Sequence, residues 1–226
     1  MLSKSIIIPS ILTTSSEEMA KRLKFTQTTS QSVHLDVIDS EFCEGRTLQP
    51  DDWPDIKVNY SEVHLMVKRP LELLPVLAKK KITRAIIHIE SNFELGALKS
   101  RAKELDLLLG WAVNPDTDLD RLRALYNVSS YIQVMGVDPG HSDQKMISTT
   151  PLAVAYLKRI PSRRLTVSVD GGVSLETIEI LEKVGASYFV ASHAIFSGGD
   201  WSANYQALLN AHNGKKAKVK SWPLRS

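Results

Sequence analysis

Eight short apolar runs, nearly all followed by a stretch with helical spacing, recur along this chain at residues 6–8, 33–39, 62–67, 85–90, 108–113, 131–137, 165–169 and 188–191. Short runs rich in Val, Ile and Leu suit strands of a parallel sheet buried on both faces. Parallel neighbours cannot be joined by a tight turn and need a crossover, usually a helix. The helical patterns fall at 16–28, 70–81, 93–105, 118–126, 151–159, 174–184 and 201–211, with at most a short helix between 40 and 60. Eight β–α units in one chain predict a closed (β/α)8 barrel of the TIM type. The competing architecture is an open doubly wound sheet, but no G-x-G-x-x-G motif follows the first strand.

With 226 residues the chain is long enough for one such barrel, assigned to 1–212. Residues 213–226 are read as a basic, flexible tail. Five of the 28 bases lie after residue 213 with no acid among them, so the remainder carries 23 bases against 25 acids. That balance does not suggest nucleic-acid binding. No apolar run approaches the roughly 20 residues of a membrane span, and the start of the chain does not read as a signal peptide. A lone cysteine, Cys43, excludes an internal disulfide framework and points to a reducing, cytoplasmic setting. Self-association is left open.

In a barrel of this type, functional side chains sit at the C-terminal ends of the strands. Ser10, His34, Asp36, His64, His88, Asn114, Met135 and Asp170 all fall on or just past such ends. The second strand is the most informative. His34 and Asp36 are two apart, so they share one face of an otherwise apolar strand. Buried there, they need a partner. A divalent metal is one answer, and a buried His–Asp pair that holds the core is the other.

With His64 and Asp170 they make two imidazoles and two carboxylates at one mouth. That donor set suits one divalent ion: zinc, with iron, manganese or cobalt as alternatives. Two carboxylates from different strands can also flank a flat substrate, one on each face. One removes a proton alpha to a carbonyl and the other returns a proton to the opposite face. Phosphate commonly binds a barrel at the loops after strands 7 and 8, here Gly171-Gly172 and Ser192-His193.

Several motifs, in order, resemble those of the ribulose-phosphate 3-epimerase family. Pro9-Ser10-Ile11-Leu12 matches P-S-I-L, and His34 to Asp39 resembles H-x-D-V-M-D with Ile38 in place of Met. Val63-His64-Leu65-Met66-Val67 matches V-H-L-M-V, His88-Ile89-Glu90 is similar to H-x-E, and Asn114-Pro115-Asp116-Thr117 matches N-P-x-T. Val134 to Gly140 resembles the strand 6 motif, and Val169-Asp170-Gly171-Gly172-Val173 matches V-D-G-G-V. The resemblance implies a barrel that interconverts ribulose 5-phosphate and xylulose 5-phosphate, a small sugar phosphate. It implies His34, Asp36, His64 and Asp170 as metal ligands, Asp36 and Asp170 as the acid/base pair, and Ser10, His64, Met66 and Met135 at the substrate.

The departures cluster in the loops expected to hold phosphate. P-G-F-G-G-Q becomes Pro139-Gly140-His141-Ser142-Asp143-Gln144, and the G-S pair after strand 8 becomes Ser192-His193. Gly140 keeps its place. Asp143 brings a negative charge toward a dianion, and His193 offers a compensating donor. Three readings follow: an active ketose-phosphate 3-epimerase, an epimerase of another ketose or ketose phosphate, and a non-catalytic barrel of epimerase descent.

Overall fold

A computed structural model describes residues 6–140, 143–160 and 165–213. Eight parallel strands close on themselves in sequence order: β1 (Ile6–Ile11), β2 (Ser32–Ile38), β3 (Tyr60–Met66), β4 (Arg84–His88), β5 (Leu108–Val113), β6 (Tyr131–Met135), β7 (Thr166–Asp170) and β8 (Tyr188–Ala191). β8 pairs back to β1 through Ile6 with Tyr188 and Pro9 with Ala191. The barrel is therefore closed, and the open-sheet alternative falls. The helices are α1 (Ser16–Thr28), α2 (Leu74–Lys79), α3 (Leu95–Glu104), α4 (Thr150–Lys158), α5 (Ile178–Lys183), α6 (His193–Phe196) and α7 (Trp201–Asn213).

The core lies between the outward faces of the strands and the helices that cover them. Leu35, Leu65, Ile87, Trp111 and Phe189 from the strands pack with Leu23, Leu77, Leu98 and Leu181 from the helices, all buried. These odd-numbered strand positions face out, so the residues between them face the barrel axis. No helix among the described residues is long and apolar enough to cross a membrane. Of the residues read as a basic tail, Asn213 ends α7 and 214–226 lie outside the described residues.

Several element boundaries differ from the sequence reading, each for a local reason. β1 continues through Pro9 and Ser10, because proline accepts an extended backbone and loses only a donor. The 70–81 helix divides into a 3-10 turn, Pro70–Leu73, and α2. Residues 118–126 form a 3-10 segment, Leu119–Ala124, entered through Asp118, whose side chain accepts from the Asp120 N–H. α5 starts late: Thr177 Oγ1 donates to the Gly172 carbonyl (2.8 Å) and accepts from the Ser174 N–H (2.9 Å), which holds a non-helical turn ahead of it. Between β2 and β3 the one short helix is a 3-10 turn, Pro50–Asp52.

Candidate active site and metal centre

Period-two alternation decides which side chains enter the barrel. β2 sends in His34 and Asp36, β3 sends Tyr60, Glu62 and His64, and all five are buried. The register sets Asp36 beside His64 and His34 beside Glu62. Asp170 arrives from β7 beside Met135 of β6. His34, Asp36, His64 and Asp170 thereby each bring one ligand atom within 4.8 Å of the others.

The spacing inside this cluster is regular. His34 Nε2 stands 3.4 Å from Asp36 Oδ1 and 3.4 Å from Asp170 Oδ2. His64 Nδ1 stands 3.2 Å from Asp36 Oδ1 and 3.1 Å from Asp170 Oδ2. These separations are short enough for one ion to reach all four ligand atoms. His34 Nε2 is buried and has no hydrogen-bond partner, which a ligand nitrogen waiting for a cation would show. The donor set therefore fits one divalent ion.

Electrostatics agree. Burial opposes charge on His34, yet the Asp170 and Asp36 carboxylates hold its pKa well above the usual value. Burial likewise opposes charge on His64, and hydrogen bonds to Asp170 and Asp36 raise its pKa. Burial would raise both aspartates, but His34 beside them holds Asp36 and Asp170 below the usual carboxylate range. Two ionised carboxylates at this depth demand positive charge.

Each carboxylate is also held by a neutral donor. Ser10 Oγ donates to Asp36 Oδ2 at 2.6 Å, and Gln133 Nε2 donates to Asp170 Oδ2 at 2.8 Å. Beneath the cluster, His34 Nδ1 lies 2.8 Å from Glu62 Oε1. Beside it, His64 Nε2 lies 2.7 Å from His88 Nε2, and His88 Nδ1 lies 3.1 Å from Glu90 Oε2. Burial pushes the His88 pKa down to about 4 against the opposing pull of Glu90.

The cluster floors a cavity of about 540 Å³. Asp36, His64 and Asp170 reach it, and Ser10, Met66 and Met135 close around them, while His34 lies behind. The outer end is walled by Gly140, Gly171, Gly172, Ser192 and His193 together with Asp143, Lys145 and Glu176. Of the residues picked out at strand ends and loops, His34, His88 and Asn114 do not line this cavity: His34 supports its floor, His88 stands against His64, and Asn114 lines a separate pocket past the end of β5. Gly172 has φ +69°, and a Cβ there would come within 2.6 Å of the Met146 backbone, so glycine is required. Ser192 lies between β8 and the one-turn α6, and His193 begins that turn. His193 Nε2 lies 3.3 Å from Asp143 Oδ1, both side chains being more than half exposed. His141 and Ser142 lie outside the described residues.

The sequence reading did not pick out Glu62, Gln133, Tyr60, Tyr131 or Arg84 as site residues, and Glu90 entered only within a motif. Tyr60 Oη (2.6 Å) and Tyr131 Oη (2.9 Å) both donate to Glu62 Oε2, with Arg84 Nη1 at 3.9 Å. The available signal was the alternation that paired His34 with Asp36: Tyr60, Glu62 and His64 share a face, as do Tyr131, Gln133 and Met135.

A closed parallel barrel with paired carboxylates and imidazoles at its C-terminal mouth defines a (β/α)8-barrel enzyme with a candidate divalent-metal centre. Solved structures agree on the fold alone: a mutant tryptophan synthase α-subunit from Pyrococcus furiosus superposes with a TM-score of 0.67 at 16% identity, covering 95% of this chain and 100% of that one. Thiamine phosphate pyrophosphorylase from Pyrococcus furiosus gives 0.61 at 14%, covering 94% and 97%. The sequence of the ribulose-phosphate 3-epimerase of Schizosaccharomyces pombe is 29% identical over 213 residues, 91% of each chain. That of Synechocystis is 27% identical over 226 residues, 95% of this chain and 96% of the other. Residues 6–196 match the family model of the ribulose-phosphate 3 epimerases, and the chain belongs to that family. It is therefore an isomerase of the epimerase class.

Proposed function

We propose that this protein is a metal-dependent 3-epimerase that interconverts D-ribulose 5-phosphate and D-xylulose 5-phosphate, with zinc as the ion. One observation carries the reading: two carboxylates on separate strands, Asp36 and Asp170, meet two imidazoles within 4.8 Å at the floor of a sugar-sized cavity. The names of the relatives support the substrate.

Asp36 and Asp170 form the acid/base pair: both are ionised in the free site, and turnover requires that one of them has taken up a proton. The ionised carboxylate takes the C3 proton, and the electron pair of that C–H bond passes toward the adjacent carbonyl to give an enediolate. The protonated carboxyl returns a proton to C3 from the opposite face, so the pair exchanges protonation states and the configuration inverts. Ser10 and Gln133 fix the two carboxylates by the hydrogen bonds described. Met66 and Met135, both buried, present soft apolar surface that keeps water from the reacting carbons. His34, Asp36, His64 and Asp170 would hold the ion, which supplies positive charge where negative charge develops on the substrate oxygens. Gly140, Gly171, Gly172, Ser192 and His193 would take the phosphate through backbone N–H groups and the His193 ring.

Turnover of ribulose 5-phosphate by zinc-loaded protein tests the reading, with Asp170→Asn expected to lower kcat at least about a hundredfold. Loaded protein that leaves ribulose 5-phosphate unchanged would refute the substrate assignment. One observation favours a second substrate class in that event: Asp143 places a carboxylate against His193 at the phosphate end. Unphosphorylated ketoses and other ketose phosphates would then be the substrates to try.

A further inference from the structure

We propose that Glu62 and Glu90 are positioning residues of the metal centre, each determining which nitrogen of one ligand imidazole carries the proton. The inference rests on the metal reading above and extends it to groups that touch neither ion nor substrate.

Glu62 is fully buried on the barrel floor and does not line the cavity. Its Oε1 lies 2.8 Å from His34 Nδ1. An ionised carboxylate can only accept, so the proton of a neutral His34 resides on Nδ1. The lone pair is then on Nε2, the nitrogen that faces Asp36 and Asp170 without a hydrogen-bond partner. Two tyrosine hydroxyls on Oε2 keep the carboxylate from rotating away.

The second arm is one ring longer. Glu90 Oε1 accepts from the Asn114 N–H (3.1 Å) and from Thr117 Oγ1 (2.5 Å), which anchors the side chain. Its Oε2 accepts a hydrogen bond from His88 Nδ1–H, 3.1 Å away. A neutral His88 then presents a bare Nε2 to His64 Nε2, 2.7 Å away. One of those two nitrogens must carry a proton, so it is the one on His64. The lone pair of His64 is left on Nδ1, the atom 3.1–3.2 Å from both aspartates. Two unrelated hydrogen-bond chains thus turn a bare nitrogen toward the same point, from rings on different strands. Orientation of metal-ligating histidines by such outer partners governs affinity.

The test is zinc binding by metal-stripped protein in competition with a chromophoric chelator, for wild type, Glu62→Gln and Glu90→Gln. Leu77→Ala, a core change on α2, serves as the control for lost stability. Expected is a 10–100-fold weaker zinc affinity in both Gln variants, with Leu77→Ala within about threefold of wild type. Should Glu62→Gln fail to fold, long-range proton–nitrogen NMR of zinc-loaded wild type decides the point. It should show His34 protonated on Nδ1 and His64 on Nε2, and either opposite tautomer overturns the proposal. Folded Gln variants that bind zinc as tightly as wild type also overturn it while leaving the metal reading intact. A wild type that takes up no zinc overturns both.

Discussion

Replacing Arg84 with Met strands the Glu62 carboxylate at the bottom of the barrel. Arg84 Nη1 is 3.9 Å from Glu62 Oε2, and the side chains are 16% and 0% exposed. At an effective dielectric near 20, a pair at that distance is worth about 4 kcal/mol. The guanidinium also lies 4.0 Å from the Tyr131 ring centroid and donates to Tyr60 Oη, and a desolvated cation–π contact adds about 1–2 kcal/mol. Against this, a thioether costs nothing to dehydrate, and His34 can still neutralise Glu62 in part. The net loss should be about 2–4 kcal/mol, near the low end for a broken buried ion pair. Urea unfolding of metal-stripped protein at pH 7 measures it, with an unchanged m-value showing that the unfolded state is unaltered. The double variant Arg84→Met/Glu62→Gln removes the stranded charge too, so it should be more stable than the sum of the singles by about 1–3 kcal/mol. A loss below about 1 kcal/mol for Arg84→Met, or singles that add within about 0.5 kcal/mol, would refute the account of the barrel floor as a charge-balanced layer.

Three further outcomes follow from the same geometry. Gly172→Ala should cost about 2–4 kcal/mol in urea unfolding, because it combines a left-handed backbone with a Cβ pressed on the Met146 backbone; a loss under about 0.5 kcal/mol would mean that the loop carrying Met146 does not pack there. In metal-stripped protein, the raised pKa values of His34 and His64 stabilise the fold below pH 6.5, and that contribution disappears as pH rises through the raised values. The depressed Asp36, Glu62 and Asp170 act in the opposite sense and lose their contribution on acidification. The Tm of stripped protein should therefore fall from pH 6.5 upward while zinc-loaded protein holds its Tm, since the ion competes with those protons; parallel profiles would contradict this. Asp143→Asn removes the carboxylate that faces His193, so the KM for ribulose 5-phosphate should fall by up to about fivefold with kcat unchanged, the scale of an exposed ion pair. A higher KM would place the phosphate elsewhere.

The barrel and its mouth were legible because both depend on local pattern. Parallel strands need apolar runs, crossovers need helices between them, and position along a strand states which residues reach the C-terminal end. His34 with Asp36 was readable from a spacing of two, and His64 and Asp170 from their places at other strand ends. The short elements were less legible. The delayed start of α5 turned on side-chain bonds from Thr177, which hydrophobic spacing does not record. α6 was missed because a four-residue helix leaves no periodicity to read.

The sequence alone therefore determined the architecture, the family and the four residues of the candidate centre, since each is written in residue type and spacing along single strands. The partners of those donors were decided only by the closed barrel. Glu62 meets Tyr131 across 69 residues of chain, and Gln133 meets Asp170 across 37. A glutamate before a histidine reads as any strand residue until closure of the sheet places two tyrosines, an arginine and an imidazole around it. Contacts of that kind depend on the register of several strands at once, and no single segment encodes that register.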